Sequence, residues 1–379
     1  MRPTTRYTFL LTTLIGLIVC PATLFAQQSA DTRIITFDVP DAGNTPGSVG
    51  CANGFFTGCY GTTPMANNNF GVIVGMYITN NGVYYGFLRF PDGRVIKFSE
   101  PNADTTPGDL NGTYPISLNS WGAVAGLYQK TDEVFHGFIR EPNGSYIEVD
   151  APDAGTAAFQ GTYAVNINDR GEVAGFYLDS SNNSHGFIRS PQGEFTTVDD
   201  PNATAGTMIA LEQGLNSRGA VAGWYNTAST SYGFIREPDG NFITVAPLST
   251  PLSLVAGINC AGDVAGSLLN AEGNVAGFLL KADGSTATFS VAGPDGAQAI
   301  NVYNLNNSDE VSGIAIDANF AFHGFIRFPN SDIKTFDAPH AGTGNFQGTR
   351  PTTINDSGQV IGWVLDSNNV AHGFIYCPK

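Results

Sequence analysis

The chain has 379 residues and a formal net charge of −16, with Asp and Glu outnumbering Lys and Arg 33 to 17. Nucleic acid and anionic membrane surfaces demand clustered Lys and Arg, so neither is an expected partner. Charged residues are only 13% of the sequence, whereas Gly and Pro number 46 and 21, which is the balance of a turn-rich all-β protein.

The N-terminus reads first as an export signal. Arg2 and Arg6 precede an apolar run over residues 8–19 and a small-residue stretch over 21–26. Such a segment is a signal peptide, too short to span a bilayer, with cleavage expected after Ala26. Cys20 follows Val19 rather than a small residue, which argues against a lipid-bearing cysteine. Residues 1–26 are therefore expected to be removed and 27–379 to form one domain. That domain is placed outside the cell or in the periplasm, with no transmembrane segment in the mature chain.

A short β-type segment over 34–40 comes next, followed by a long connection to Gly61 that carries Cys51, Phe55, Phe56, Cys59 and Tyr60. From there one pattern repeats. An Asn followed seven residues later by Gly, with apolar residues between, occurs at Asn68, Asn119, Asn168, Asn216, Asn259, Asn306 and Asn355. A Gly-Phe pair follows each, 18 positions after the Asn in every copy but the fourth, where the interval is 17. Successive Asn residues are separated by 51, 49, 48, 43, 47 and 49 positions, so the units are rigid and the connections vary. A period in the forties is that of a four-stranded propeller blade.

The third copy shows the unit clearly, with strands expected over 162–167, 172–178, 185–189 and 194–199 and with Asn, Asp, Gly and Pro at the turns. The repeated Asn is explained by a side chain that bonds backbone two residues on and holds its turn. Gly within the strands lets neighbouring faces approach, and the following Phe fills the space between them.

The last copy ends where its fourth strand should begin, and the N-terminus supplies a replacement. Ile34-Ile35-Thr36-Phe37-Asp38-Val39-Pro40 matches Ile333-Lys334-Thr335-Phe336-Asp337-Ala338-Pro339 at five of seven positions. The sequence thus predicts a seven-bladed β-propeller of four-stranded blades, closed by an N-terminal strand that completes the last blade. The motifs Asn-x-x-Gly-x-Val-x-Gly and His-Gly-Phe-Ile resemble the HAF family of extracellular repeat proteins over nearly the whole mature chain, with Gly where the family's His-Ala-Phe motif has Ala. That resemblance implies export and repetition, and it brings no activity or binding residue with it.

His136, His185, His323 and His372 share one column on the third strand of different copies. Adjacent copies should hold them more than roughly 10 Å apart, whereas a zinc ion needs all ligands at about 2 Å. The column is read as structural, bonded to neighbouring backbone, and no metal is expected. Acidic loops suit Ca²⁺, but no spacing forms a calcium loop, so no cofactor is expected either. There is no nucleophile elbow, metalloprotease motif or phosphate loop, and no catalytic residue is assigned. Cys51 and Cys59 are expected to form a disulfide in the long loop, with Cys260 and Cys377, in nonadjacent units, unpaired.

Function on a repeat ring belongs where the repeat is broken. The connections from a fourth strand to the next first strand collect Phe55, Phe56, Tyr60, Asp150, Asp153, Phe159, Asp337 and Phe346, and Glu212 and Arg350 are charged where other copies are mostly uncharged. These residues are the expected ligand-binding set, on the face of the ring made by those loops. The expected function is a noncatalytic extracellular module binding a glycan, a peptide or an envelope protein. The alternatives are a carbohydrate-active hydrolase or lyase on the same scaffold, and a scaffold without a specific ligand.

Overall fold

The computed structural model describes residues 33–46, 59–107, 111–245, 253–270, 273–291 and 299–378. Among these residues the regular structure is entirely β-strand. No helix there is long and apolar enough to cross a membrane.

The strands form antiparallel meanders of four. In the third repeat Gly161–Ile167, Val173–Leu178, Ser184–Arg189 and Phe195–Val198 pair in succession, close to the expected bounds. The same order runs from Gly61–Asn67 to Val95–Phe98, from Asn111–Leu118 to Tyr146–Val149 and from Ala299–Leu305 to Ile333–Phe336. The final repeat contributes Gly348–Ile354, Val360–Leu365 and Ala371–Cys377, and its fourth partner is Arg33–Phe37, which places Ile35 opposite Ile375.

Close approach between units falls on the repeated glycines. Gly161 has φ +110° and lies so near the Phe135 carbonyl that any side chain would collide with it. The Phe after each third-strand Gly is sealed in, with Phe87, Phe138, Phe187, Phe234, Phe278, Phe325 and Phe374 all at most 1% exposed. Most first strands carry a bulge at which one extra residue turns inward: Met65, Ile116, Val165, Ala256, Tyr303 and Thr352 occupy that position.

The repeated Asn does more than hold its own turn. Each side-chain oxygen accepts the backbone N–H groups two and four residues on, as Asn168 does from Arg170 and Glu172 at 3.0 Å each. Each side-chain nitrogen then donates to the backbone carbonyl of the next repeat's Asn: Asn68 to Asn119, Asn119 to Asn168, Asn168 to Asn216, Asn216 to Asn259, Asn259 to Asn306 and Asn306 to Asn355, at 3.0 to 3.5 Å. Asn355 donates to Asn68 at 2.9 Å, which returns the series to its start. All these side chains are buried.

Asn216→Ala would strip the Arg218 and Ala220 N–H groups of their acceptor and remove the bond to the Asn259 carbonyl, which keeps the Gly262 N–H. A buried group left unpaired costs about 1–3 kcal/mol, so the variant is expected to lose about 2–4 kcal/mol in urea denaturation. A loss below about 0.5 kcal/mol, the range of an ordinary surface change, would contradict this role.

Candidate ligand site

Each first strand begins at the connection from the preceding unit and ends at its Asn turn, so connections and Asn turns lie at opposite ends of the strand. At the Asn end the residues that follow the Asn make two runs of contacts, one from Asn69 through Asp356, Asn307 and Cys260 to Ser217 and one from Ser120 to Asp169. Asn69 Nδ2 donates to Asp356 at 2.7 Å and Asn307 Nδ2 to the same carboxylate at 2.9 Å. Ser120 donates to Asp169 through its backbone at 2.7 Å and its hydroxyl at 2.9 Å. Cys260, a free and exposed thiol, sits 3.0 Å from the Ser217 hydroxyl. These groups line a polar cavity of ≈170 Å³ to which Glu212 and Gln213 also contribute.

Two exposed aromatic residues directly follow the lining residues Asn69 and Ser120. The third residue of the Asn-x-x-Gly turn is Phe70 in the first repeat and Trp121 in the second, 53% and 72% exposed. The Trp121 indole N–H donates to the Asp169 carbonyl at 3.1 Å, which fixes the ring's orientation. The other copies place Arg170, Arg218, Ala261, Ser308 and Ser357 here. The sequence held this signal, since a solvent-facing turn position needs no aromatic residue for folding, but the expected ligand-binding set lay in the loops at the other end of the strands.

Glu212 belongs to the one first strand that breaks off early. Thr207–Ile209 has only three residues, and the chain then leaves the regular path over 210–215. Asn166 holds this excursion from one side, donating to the Ala210 carbonyl at 2.7 Å and accepting from Gly214 N–H at 2.9 Å. Ile258 N–H donates to the Gln213 carbonyl from the other side at 3.0 Å. Glu212 is half-exposed by area, but what it meets is the enclosed space between inner strands, and burial pushes its carboxyl up to about 7. Tyr303 lies within electrostatic reach of both Glu212 and Arg350: burial raises its hydroxyl, Arg350 lowers it and Glu212 raises it. The Arg350 guanidinium lies 4.1 Å from the Phe322 ring centre and 4.8 Å from that of Trp363, and its buried Nε has no hydrogen-bond partner. Glu212 and Arg350, expected in one set, do share one interior.

The other expected residues are dispersed. Asp150 and Asp337 bond His136 Nδ1 and His323 Nδ1 at 2.7 and 2.9 Å, as Asp199 and Asp38 bond His185 and His372 at 2.8 and 2.9 Å. The histidine column is thus structural, though its partners are carboxylates and not the expected backbone groups. Asp153 is exposed. Phe159 and Phe346 take matching left-handed turns, with φ +63° and +61°. Phe159 is 49% exposed, while Phe346 packs 6.0 Å from Phe322. Tyr60 is half-buried against Met65 and Tyr114. Cys59 is buried. Both Cys59 and Cys377 are disulfide-bonded, contrary to the expectation that Cys377 is unpaired, whereas Cys51, Phe55 and Phe56 lie outside the described residues.

No protein-family model matches the chain, and no curated protein matches it by sequence. In structure it is similar to a catalytically inactive variant of virginiamycin B lyase from Staphylococcus aureus with quinupristin: 12% identity, 91% of this chain and 99% of the other covered, TM-score 0.56. It is also similar to the BP39L lectin of Burkholderia pseudomallei, at 10% identity, with 83% and 95% covered and a TM-score of 0.50. The fold is a β-propeller. At such identities the likeness extends to the fold of the propeller alone.

The His372 imidazole is held above its usual range, first by its hydrogen bond to Asp38 and against the opposing effect of burial. A raised folded value stabilises the propeller fully below the unfolded value of about 6.5, and that contribution fades as pH rises through the folded value. The melting-temperature gap between wild type and His372→Gln is therefore expected to be wider near pH 5.5 than near pH 8.5. Equal gaps at both would rule the pair out as a source of stability.

Proposed function

We propose that the protein is an exported, noncatalytic seven-bladed propeller that binds a glycan at the polar cavity on its Asn-turn face. The observation that carries this reading is Trp121, an indole mostly in water and hydrogen-bonded to Asp169, one of the amide, hydroxyl and carboxylate residues that line the cavity. An aromatic face covers the apolar side of a sugar ring while amides and carboxylates bond its hydroxyls, and Phe70 offers a second ring at the equivalent place in the first repeat. Export rests on the leader over 1–26. Seven closed blades are supported by the circuit of Asn bonds and by the pairing of Arg33–Phe37 with Ala371–Cys377.

The test is a printed glycan panel followed by calorimetry with the saccharide best retained. Trp121→Ala is expected to weaken binding on the order of tenfold, equal to about 1.4 kcal/mol, with an unchanged melting temperature. Phe159→Ala, on the opposite face, should bind as wild type does. A panel that retains nothing, or equal affinity in Trp121→Ala, defeats the glycan reading.

Ring closure has its own test. Deleting residues 27–40 would leave the edge of Ala371–Cys377 unpaired, and the expected result is aggregation or loss of a cooperative melt. A truncated protein melting as the mature chain does would contradict closure.

A carbohydrate-active enzyme is favoured by one observation, the Glu212 carboxyl near 7, which suits a general acid or base. A glycosidase also needs a second carboxylate about 5–9.5 Å away; the charge linked to Glu212 through Tyr303 is the Arg350 guanidinium, and the Asp169 and Asp356 carboxylates of the same cavity are engaged by Ser120, Asn69 and Asn307. Binding is therefore the preferred reading.

A further inference from the structure

The four His–Asp pairs are not built alike. In three of them Nε2 faces a second aspartate from the turn between the second and third strands, Asp179 for His185, Asp317 for His323 and Asp366 for His372, at 3.6 to 3.7 Å. In the second repeat that turn position is Lys130. The second carboxylate there comes from Glu148 on the fourth strand, at a register filled by Thr197, Thr335 and Thr36 in the other three units. Two positions have changed together, and the result is a carboxylate moved to the same side of the imidazole as Asp150.

The three side chains converge. Asp150 Oδ2 lies 2.7 Å and Glu148 Oε1 3.7 Å from His136 Nδ1, and the candidate ligand atoms all lie within 4.8 Å of one another. Tyr128 closes the inner side. It is wholly buried, its ring stacks on His136 with centres 5.4 Å apart, and its hydroxyl has no hydrogen-bond partner. Asp150 Oδ1 is also buried and unpartnered.

We propose that His136, Glu148 and Asp150 form a site for a first-row divalent cation such as Zn²⁺. One imidazole nitrogen and two carboxylates are a zinc donor set, bonding at about 2.0–2.2 Å with water in the remaining position. The geometric objection to histidines of different repeats sharing an ion does not apply, because all three ligands belong to one unit. Binding replaces the proton between His136 and Asp150 by the ion. It also releases the Lys130 ammonium, now 3.4 Å from Glu148, whose side chain is 30% exposed and free to swing outward. Glu148 and Asp150 keep 47% and 37% of their side-chain surface open, which gives the ion a way in.

The experiment is calorimetric titration of the mature chain, residues 27–379, with zinc chloride in a non-chelating buffer. Wild type is expected to take up a single equivalent and to melt at a higher temperature when loaded. Glu148→Thr, which installs the residue of the other units and so preserves the fold, is expected to weaken uptake at least about tenfold. Lys130→Ala should bind more tightly, and His185→Gln, altered in the equivalent pair of the next repeat, should bind as wild type does. A wild type that binds no more zinc than Glu148→Thr overturns the proposal. So does an equal loss in His185→Gln, which would mark the uptake as a general property of the His–Asp pairs.

Discussion

One side chain, repeated, couples the units of this protein to each other. An Asn amide has an acceptor and a donor end, and here the two ends serve different levels of structure. The oxygen closes a turn within one unit, and the nitrogen reaches the backbone of the next. Folding one unit correctly therefore presents the carbonyl that its neighbour needs. Asp, which only accepts, would hold the turn but lose the link between units. This explains why Asn and no other turn-former recurs at this position.

Around that circle the structure separates what must repeat from what is free to differ. The glycines, the Phe wedges and the Asn amides occupy positions where a changed side chain meets backbone or a sealed ring. The residues after each Asn face solvent, and there the copies diverge into Asn69, Ser120, Asp169, Ser217, Cys260, Asn307 and Asp356. The bulge positions diverge likewise, from Ala256 to Tyr303. Variation at those two levels gives a symmetric frame an asymmetric interior and an asymmetric mouth, which a ligand without matching symmetry requires.

Periodicity made the frame legible in the sequence. Strand order, the four-strand unit, the structural Asn and the borrowed strand at 34–40 all follow from residues that recur at fixed intervals, because a recurring interval reports a recurring contact. The site was less legible for the same reason. Asp150 and Asp337 looked functional as charges in loops, and only the cross-strand distance showed that His136 and His323 engage them. Phe70 and Trp121 were hidden by lying in the best-explained turn of the repeat. Glu212 and Arg350 were marked as odd charges, but the strand break that turns Glu212 inward has no signature beyond the loss of a pattern. Cys51, Phe55 and Phe56 fall outside the described residues.

The pairing of Arg33–Phe37 with Ala371–Cys377 also sets a timetable. Asp38 and His372 are 334 positions apart in the chain yet in contact, so the first strand to emerge during synthesis must wait for the last before it has a partner. Contacts of such long sequence separation form late and slowly, and until then the leading segment is an unpaired strand exposed to other chains. A chain synthesised from its N-terminus presents that strand first and completes the final unit only once its C-terminal strand has been made. The finished fold therefore reports that synthesis has run to the last strand, and a chain stopped before it lacks the contact that would cover its own first strand.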